Sequence, residues 1–182
     1  QSEKKQSGCS IEFQNKDYKN KTFYLASHYG KFQTLVDSVI GDADGRLLFK
    51  KNEKYTGGIY MLVNNAKEIE VEFLMDELQQ FKINPKPQNL SKTTIYQSPV
   101  NIDFRDFNLF LKTKRSQIEL FNTPLQATEN KTERIVYQKK IESIEKEIAQ
   151  YKQNYIATHT NTLALLFRLT QPIDDFSSLP RN

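Results

Sequence analysis

Asp42 and Asp44, two residues apart and followed by Gly45, form the carboxylate pair whose spacing comes nearest to a metal site. A calcium loop opens with alternate acidic ligands and a sharp glycine turn. Here the later ligand positions hold Leu47, Leu48 and Lys50, and the closing bidentate glutamate is missing. A hairpin turn is the favoured reading, because aspartate bonds its own backbone and glycine supplies positive φ. Glu68, Glu70 and Glu72 alternate along one strand face, where water relieves their repulsion, and nothing there pairs an acid with a base. Gly57-Gly58 lacks the helix and lysine of a phosphate loop, and the serines occur without a Gly-x-Ser-x-Gly elbow. His159, at the end of a long helix, suits the terminal carbonyls. His28 stands near Tyr24 and Tyr29, where it lines a pocket or sits on a rim. Tyr24, His28 and Tyr60 are the candidate binding residues, around a ligand-sized apolar concavity. No catalytic residue, cofactor or metal ligand is assigned.

The single cysteine, Cys9, excludes an internal disulfide, a Cys-x-x-Cys motif and a cysteine-rich zinc site within this chain. Ser7-Gly8 before it resembles the small residues that precede a lipidated cysteine, but no apolar stretch comes first, so a structural thiol at the start of the first strand is preferred. No run reaches membrane-spanning length; the most apolar is Leu163 to Phe167. If the protein is exported, the opening Gln1-Ser2-Glu3-Lys4 is compatible with removal of a signal peptide. The formal charge of +4 is small for 182 residues, and acidic residues are interleaved almost throughout. The clusters Lys4-Lys5 and Lys112 with Lys114-Arg115 are short, so no nucleic-acid partner is expected. With 37% hydrophobic residues, twelve Phe and nine Tyr, the chain can bury one good core or two modest ones.

The elements that would position these groups divide the chain. Residues 1–7 read as a polar, disordered tail. Ile11 and Phe13 alternate with polar neighbours, Thr22 to Ala26 forms a strand closed by Gly30-Lys31, and another runs from Phe32 to Ile40. Arg46 to Lys50 returns with Leu47 and Phe49 on one face. Ile59, Met61 and Val63 are expected on one face; after the Asn64-Asn65 turn, Ile69, Val71, Phe73 and Met75 do likewise while the three glutamates point the other way. Phe81 and Ile83 suggest one more strand, stopped by Pro85 and Pro87, and Thr93 to Tyr96 an edge strand. The spacing argues for an antiparallel β-sandwich or open barrel over residues 8–97.

A helical region is expected over residues 98–171. Ser98-Pro99 starts a helix that Thr123-Pro124 ends, with Phe104, Phe107, Leu111, Ile118 and Phe121 on one stripe. From about Asn130 to Thr158, Tyr137, Ile141, Ile144, Ile148, Tyr151 and Tyr155 keep heptad spacing. The tyrosines on that seam favour an intrachain hairpin of two antiparallel helices over an oligomer, whose state stays open. A short third helix, capped by Thr160 or Asn161, carries Leu163, Leu166, Phe167 and Leu169. Residues 172–182 read as a linker or tail. The class is therefore α+β. Because Tyr24 to Ala26 and Ile59 to Val63 are apolar on both faces, the helices should cover one face of the sandwich.

Asp37-Ser38, Asp44-Gly45, Phe49, Gly58 with Tyr60, Phe73-Leu74-Met75-Asp76 and Phe81 resemble the N-terminal β-domain that precedes the thioredoxin-like domain in envelope thiol-disulfide oxidoreductases of Bacteroidetes type. Gln97-Ser98 through Tyr155-Ile156, and then Leu163 to Leu169, are similar to the helical region that follows it there. The resemblance covers almost the whole chain and differs at His159-Thr160-Asn161, where family members often place proline. It implies a non-catalytic accessory region in the cell envelope, periplasmic and open to anchoring by lipidation. Its role would be to position or recruit a substrate protein for a thioredoxin-like domain, in cis or in trans, that carries the Cys-x-x-Cys absent here. A stand-alone envelope module binding peptide, glycan or lipid, and a hydrolase assembled from scattered residues, are the rival readings.

Overall fold

The computed structural model describes residues 8–29 and 32–170. The tail expected over 1–7, the strand-closing pair Gly30-Lys31 and the expected linker 172–182 lie outside them. Two compact units meet between Leu109 and Phe110.

The first unit is a sandwich of two four-stranded sheets. In chain order the strands are β1 (Cys9–Gln14), β2 (Thr22–Tyr29), β3 (Phe32–Ile40), β4 (Arg46–Lys51), β5 (Gly58–Asn64), β6 (Ile69–Met75), β7 (Gln80–Asn84) and β8 (Thr94–Tyr96). One sheet has the order β4-β1-β7-β8 and the other β3-β2-β5-β6. Every neighbouring pair is antiparallel except β1 with β7, which run parallel because the chain crosses from one sheet to the other between β6 and β7. Sequence alternation alone could not show that crossing.

The register explains the core. Ile11 stands opposite Phe49 on one side and Phe81 on the other, and Phe13 opposite Leu47 and Ile83, so one face of the first sheet is a continuous apolar layer. It meets Phe23, Leu25, Tyr60, Leu62, Val71, Phe73 and Met75 from the second. Phe13 sets its ring edge-on to Phe49 at 6.0 Å and to Phe73 at 5.3 Å. Each large side chain buried in this way stabilises the unit by about 1.5–3 kcal/mol.

Strand β5 corrects one expectation. Tyr60 and Leu62, not Ile59, Met61 and Val63, face the sandwich core, while Met61 is buried on the opposite face. A strand apolar on both sides reads equally well in either register, and the choice came from its partners Phe73 and Val71. A register shift between Leu62 and Val63 also rotates Glu70 out of line with its neighbours. Its carboxylate accepts from Tyr18 Oη at 2.9 Å and Asn64 Nδ2 at 3.1 Å.

Helix α1 (Pro99–Ala127) begins in the first unit, where Val100, Asn101, Phe104 and Phe107 are buried. Ser98 starts it with its backbone carbonyl, which accepts from Asn101 and Ile102 amides, while its hydroxyl accepts from the Asn101 side chain. Pro124 does not end the helix. It lies in the last turn, where its missing N–H costs a single bond and its carbonyl still accepts from Thr128.

In the second unit, α2 (Lys131–Thr158) runs antiparallel to the later part of α1. Phe110 stacks on Tyr151 at 4.5 Å, Lys114 pairs with Glu147, and Lys140 lies over the Phe121 ring. One partner number falls as the other rises, which is the signature of a helical hairpin. Asn130 caps α2 by accepting from Thr132 and Glu133 amides, and Asn161 caps α3 (Thr162–Leu169) by accepting from Ala164. Tyr155 joins these helices: it receives an Asn161 Nδ2 hydrogen bond on its hydroxyl, meets Phe167 edge-on at 5.5 Å and stacks on His159 at 3.9 Å.

Candidate functional site

The second sheet ends in two strands, β3 and β6, and each has one row of backbone groups with no strand beside it. Such a row invites another chain to pair with it unless something covers it. On β6 the covering group is a side chain. Asn101 Oδ1 accepts from the Leu74 amide at 2.7 Å, and its Nδ2 donates to the Leu74 carbonyl at 3.0 Å and to Ser98 Oγ at 2.9 Å. The carboxamide thus takes the place that a residue of a neighbouring strand would occupy, and it is almost wholly buried.

On β3 the one side-chain bond of this kind among the described residues is local, Asp37 Oδ1 accepting from the Ser38 amide at 2.8 Å, and no element other than β2 pairs along the strand. Its nine residues are exposed apart from half-buried Val39. Phe32 is 75% exposed, Leu35 65%, Ile40 64% and Val36 40%. The strand holds no proline and no lysine, the usual guards of a sheet edge. Its one charge, Asp37, accepts from Tyr55 Oη at 2.7 Å. Pairing with β2 passes from Leu25 opposite Asp37 to Ala26 opposite Leu35, so Val36 is the extra residue of a β-bulge. The bulge brings two consecutive apolar side chains, Leu35 and Val36, to the surface. The result is an exposed apolar ribbon on a strand with no neighbour on one side, the geometry to which an extended polypeptide can add as a further strand.

Tyr55 anchors the other end of that arrangement. Gln79, buried, accepts from the Tyr55 amide at 2.8 Å and donates to its carbonyl at 2.9 Å, so the residue is held by backbone and by hydroxyl. Burial pushes the Tyr55 phenol well above its ordinary range, and the Asp37 carboxylate raises it further. The same causes act on Tyr18, buried against Glu70.

The residues expected to bind a ligand do not gather. Tyr60 stands opposite Ser27 and faces the sandwich interior, with its hydroxyl donating to the Thr56 carbonyl at 2.6 Å. Tyr24 and His28 alternate onto the other face of β2, where His28 is exposed and Tyr24 Oη donates to Asn65 Oδ1 at 3.4 Å. No one concavity holds all three. Tyr60, expected beside Tyr24 and His28, stands opposite Phe73 in the sandwich core instead. Asp42 spends its carboxylate on the hairpin, accepting from Asp44 and Arg46 amides at 2.9 Å each, which holds it below the usual carboxylate range. Gly45, at φ 76°, completes that turn.

Cys9 lies in the core, with its Sγ 3.9 Å from the Phe49 carbonyl. Burial raises its pKa, which disfavours the thiolate that exchange chemistry needs. Asn101 was absent from the sequence reading, yet it left a signal: a polar residue three before Phe104, on the stripe that Phe104 and Phe107 define.

Neither a protein-family model nor a curated protein matches this chain.

Proposed function

We propose that this chain is a non-catalytic accessory region that receives an extended segment of a substrate protein along β3 and holds it for a thioredoxin-like redox domain, carried in cis or in trans in the cell envelope. The observation that carries this reading is the edge of β3, exposed and apolar without proline or lysine, on a sheet whose opposite edge strand has its Leu74 groups taken by Asn101. An oxidised, partly unfolded polypeptide offers both things such an edge takes, a strand's worth of unpaired backbone and exposed apolar side chains. The buried position of Cys9 supports assigning the thiol chemistry to a partner. The envelope setting and the redox partner rest on the family resemblance.

Fluorescence anisotropy with a labelled, reduced and carboxymethylated unfolded protein tests the first part. The wild-type chain is expected to bind it, and Leu35→Lys with Val36→Lys to weaken binding by about tenfold, with the melting temperature little changed because both side chains are already in water. Equal binding by that variant overturns the β3 assignment. The redox part is tested by the gene: a Cys-x-x-Cys domain downstream or in a neighbouring frame supports it. A stop codon with no redox neighbour would favour the second reading, a stand-alone envelope binding module.

A further inference from the structure

The outer face of the first sheet carries a second feature, unrelated to the β3 edge. Residues pointing away from the core form rows across the strands. Lys50, Ser10 and Gln80 make one row; Leu48, Glu12, Lys82 and Tyr96 make the next. These rows floor a concavity of about 750 Å³, whose rim includes Lys51, Asn52, Leu78 and Gln97.

Its charge is unbalanced. Glu12 is the one acidic residue lining it, against the outward-facing Lys50 and Lys82. Both Glu12 oxygens are already engaged, one by Arg46 Nε at 3.0 Å and the other by Lys82 Nζ at 3.6 Å. Lys50 has no acidic partner among the described residues; Lys51, opposite buried Cys9, turns to the other side of the sheet and lies over the Tyr55 ring at 3.7 Å. Lys50, Lys82 and Arg46 thus stand against the one carboxylate that lines the concavity, which leaves this face positive.

The uncharged groups narrow the ligand further. Tyr96 is 49% exposed on β8, directly across from Lys82. It offers a flat ring beside hydroxyl and amide groups from Ser10, Asn52, Gln80 and Gln97. Gln97 is held at φ 62°, a backbone conformation uncommon for a residue with a side chain, at the point where β8 gives way to the start of α1. Cations on strands two apart are separated by roughly 10 Å, too far for one small anion to bridge. A chain bearing anionic groups at intervals, with hydroxyls and ring faces between them, satisfies all of these features. We propose that the outer face of the β4-β1-β7-β8 sheet binds an acidic oligosaccharide, its carboxylates or sulfates taken by Lys50 and Lys82 and a sugar ring resting on Tyr96. This goes beyond the recruitment reading and does not depend on it.

Affinity electrophoresis and titration calorimetry on the full chain test it, with polygalacturonate as the probe, dextran as the neutral control and poly-glutamate as the acidic polypeptide control. Polygalacturonate is expected to bind and dextran not to. Lys50→Gln with Lys82→Gln should weaken binding by about tenfold or more, and Tyr96→Ala by several-fold even at salt concentrations that screen the lysines. Lys139→Glu with Lys140→Glu, on α2, should leave it unchanged. Amide shift mapping on the wild-type chain provides a readout independent of any variant, with changes expected at Ser10, Lys50, Gln80 and Tyr96. Absence of binding, equal weakening by the α2 variant, indifference to Tyr96→Ala, or preference for poly-glutamate would each overturn the proposal.

Discussion

The two edges of the β3-β2-β5-β6 sheet face the same physical problem and meet it differently. On β6, the Leu74 amide and carbonyl are satisfied by one buried carboxamide, Asn101, delivered by the first turn of α1. On β3, nine residues with four exposed large apolar side chains end the sheet without proline, lysine or any covering element among the described residues. On β6 the Leu74 groups are withdrawn from pairing; on β3 the Ser38 amide is met only by its neighbour Asp37, and no element other than β2 pairs along the strand among the described residues. A fold that closes one edge with a side chain fitted to both backbone groups has the means to close the other. The asymmetry is what the recruitment proposed for β3 rests on.

Breaking the closed edge should give the largest effect. Asn101→Ala leaves a buried amide and a buried carbonyl on Leu74 without partners and should lower stability by about 3 kcal/mol, read as a lower urea midpoint. A loss below about 0.5 kcal/mol would mean that water satisfies Leu74 and that β6 is not closed by this residue. If the variant survives, β6 should also begin to pair with other chains, visible as concentration-dependent association that the wild type lacks.

A smaller effect is expected where β3 is tied down. Tyr55→Phe removes the hydroxyl that donates to Asp37 and should cost about 1 kcal/mol. Hydrogen exchange at Thr34 to Ser38 should quicken with it, because the carboxylate on β3 loses its anchor. No change in exchange there would separate Tyr55 from the edge.

The alkaline limb sharpens the same point. Tyr18 and Tyr55 are both raised, burial first and the neighbouring carboxylate after it, so each favours the fold while protonated. That stability is whole below the ordinary tyrosine pKa of about 10 and is lost as pH rises beyond it, by about 1.4 kcal/mol per pH unit for each phenol. Melting temperature measured between pH 8 and 11 should hold and then fall, and Tyr55→Phe should fall less steeply. Equal slopes would place the Tyr55 phenol in water.

Much of the architecture was legible because its signals are local. The Asp42-Ala43-Asp44-Gly45 turn, the alternation of Val71, Phe73 and Met75, and the heptad seam from Tyr137 to Tyr155 each depend on spacing within a few residues. The candidate site was less legible. Tyr24, His28 and Tyr60 are expected around one concavity, but alternation on β2 and the pairing of Tyr60 with Ser27 send them to different faces. Pro124 looked like a stop, yet a proline in a last turn sacrifices little. Asn101 and Gln79 act through backbone groups 27 and 24 residues away, and no sequence window contains such a bond.

By itself the sequence determined the kinds of element, most of their limits and the class, α+β with the sandwich first, since periods of 2 and 3.6 are written in neighbouring residues. It also determined that a lone cysteine leaves no disulfide to form within the chain. Only the tertiary structure decided which strands end a sheet, that β1 and β7 run parallel, which face of β5 meets the core, and that one edge is closed while the other stays open. The reason is that alternation assigns a strand two faces but is silent about its two edges. What lies along an edge depends on hydrogen bonds to residues that are distant in the chain and adjacent only once it has folded.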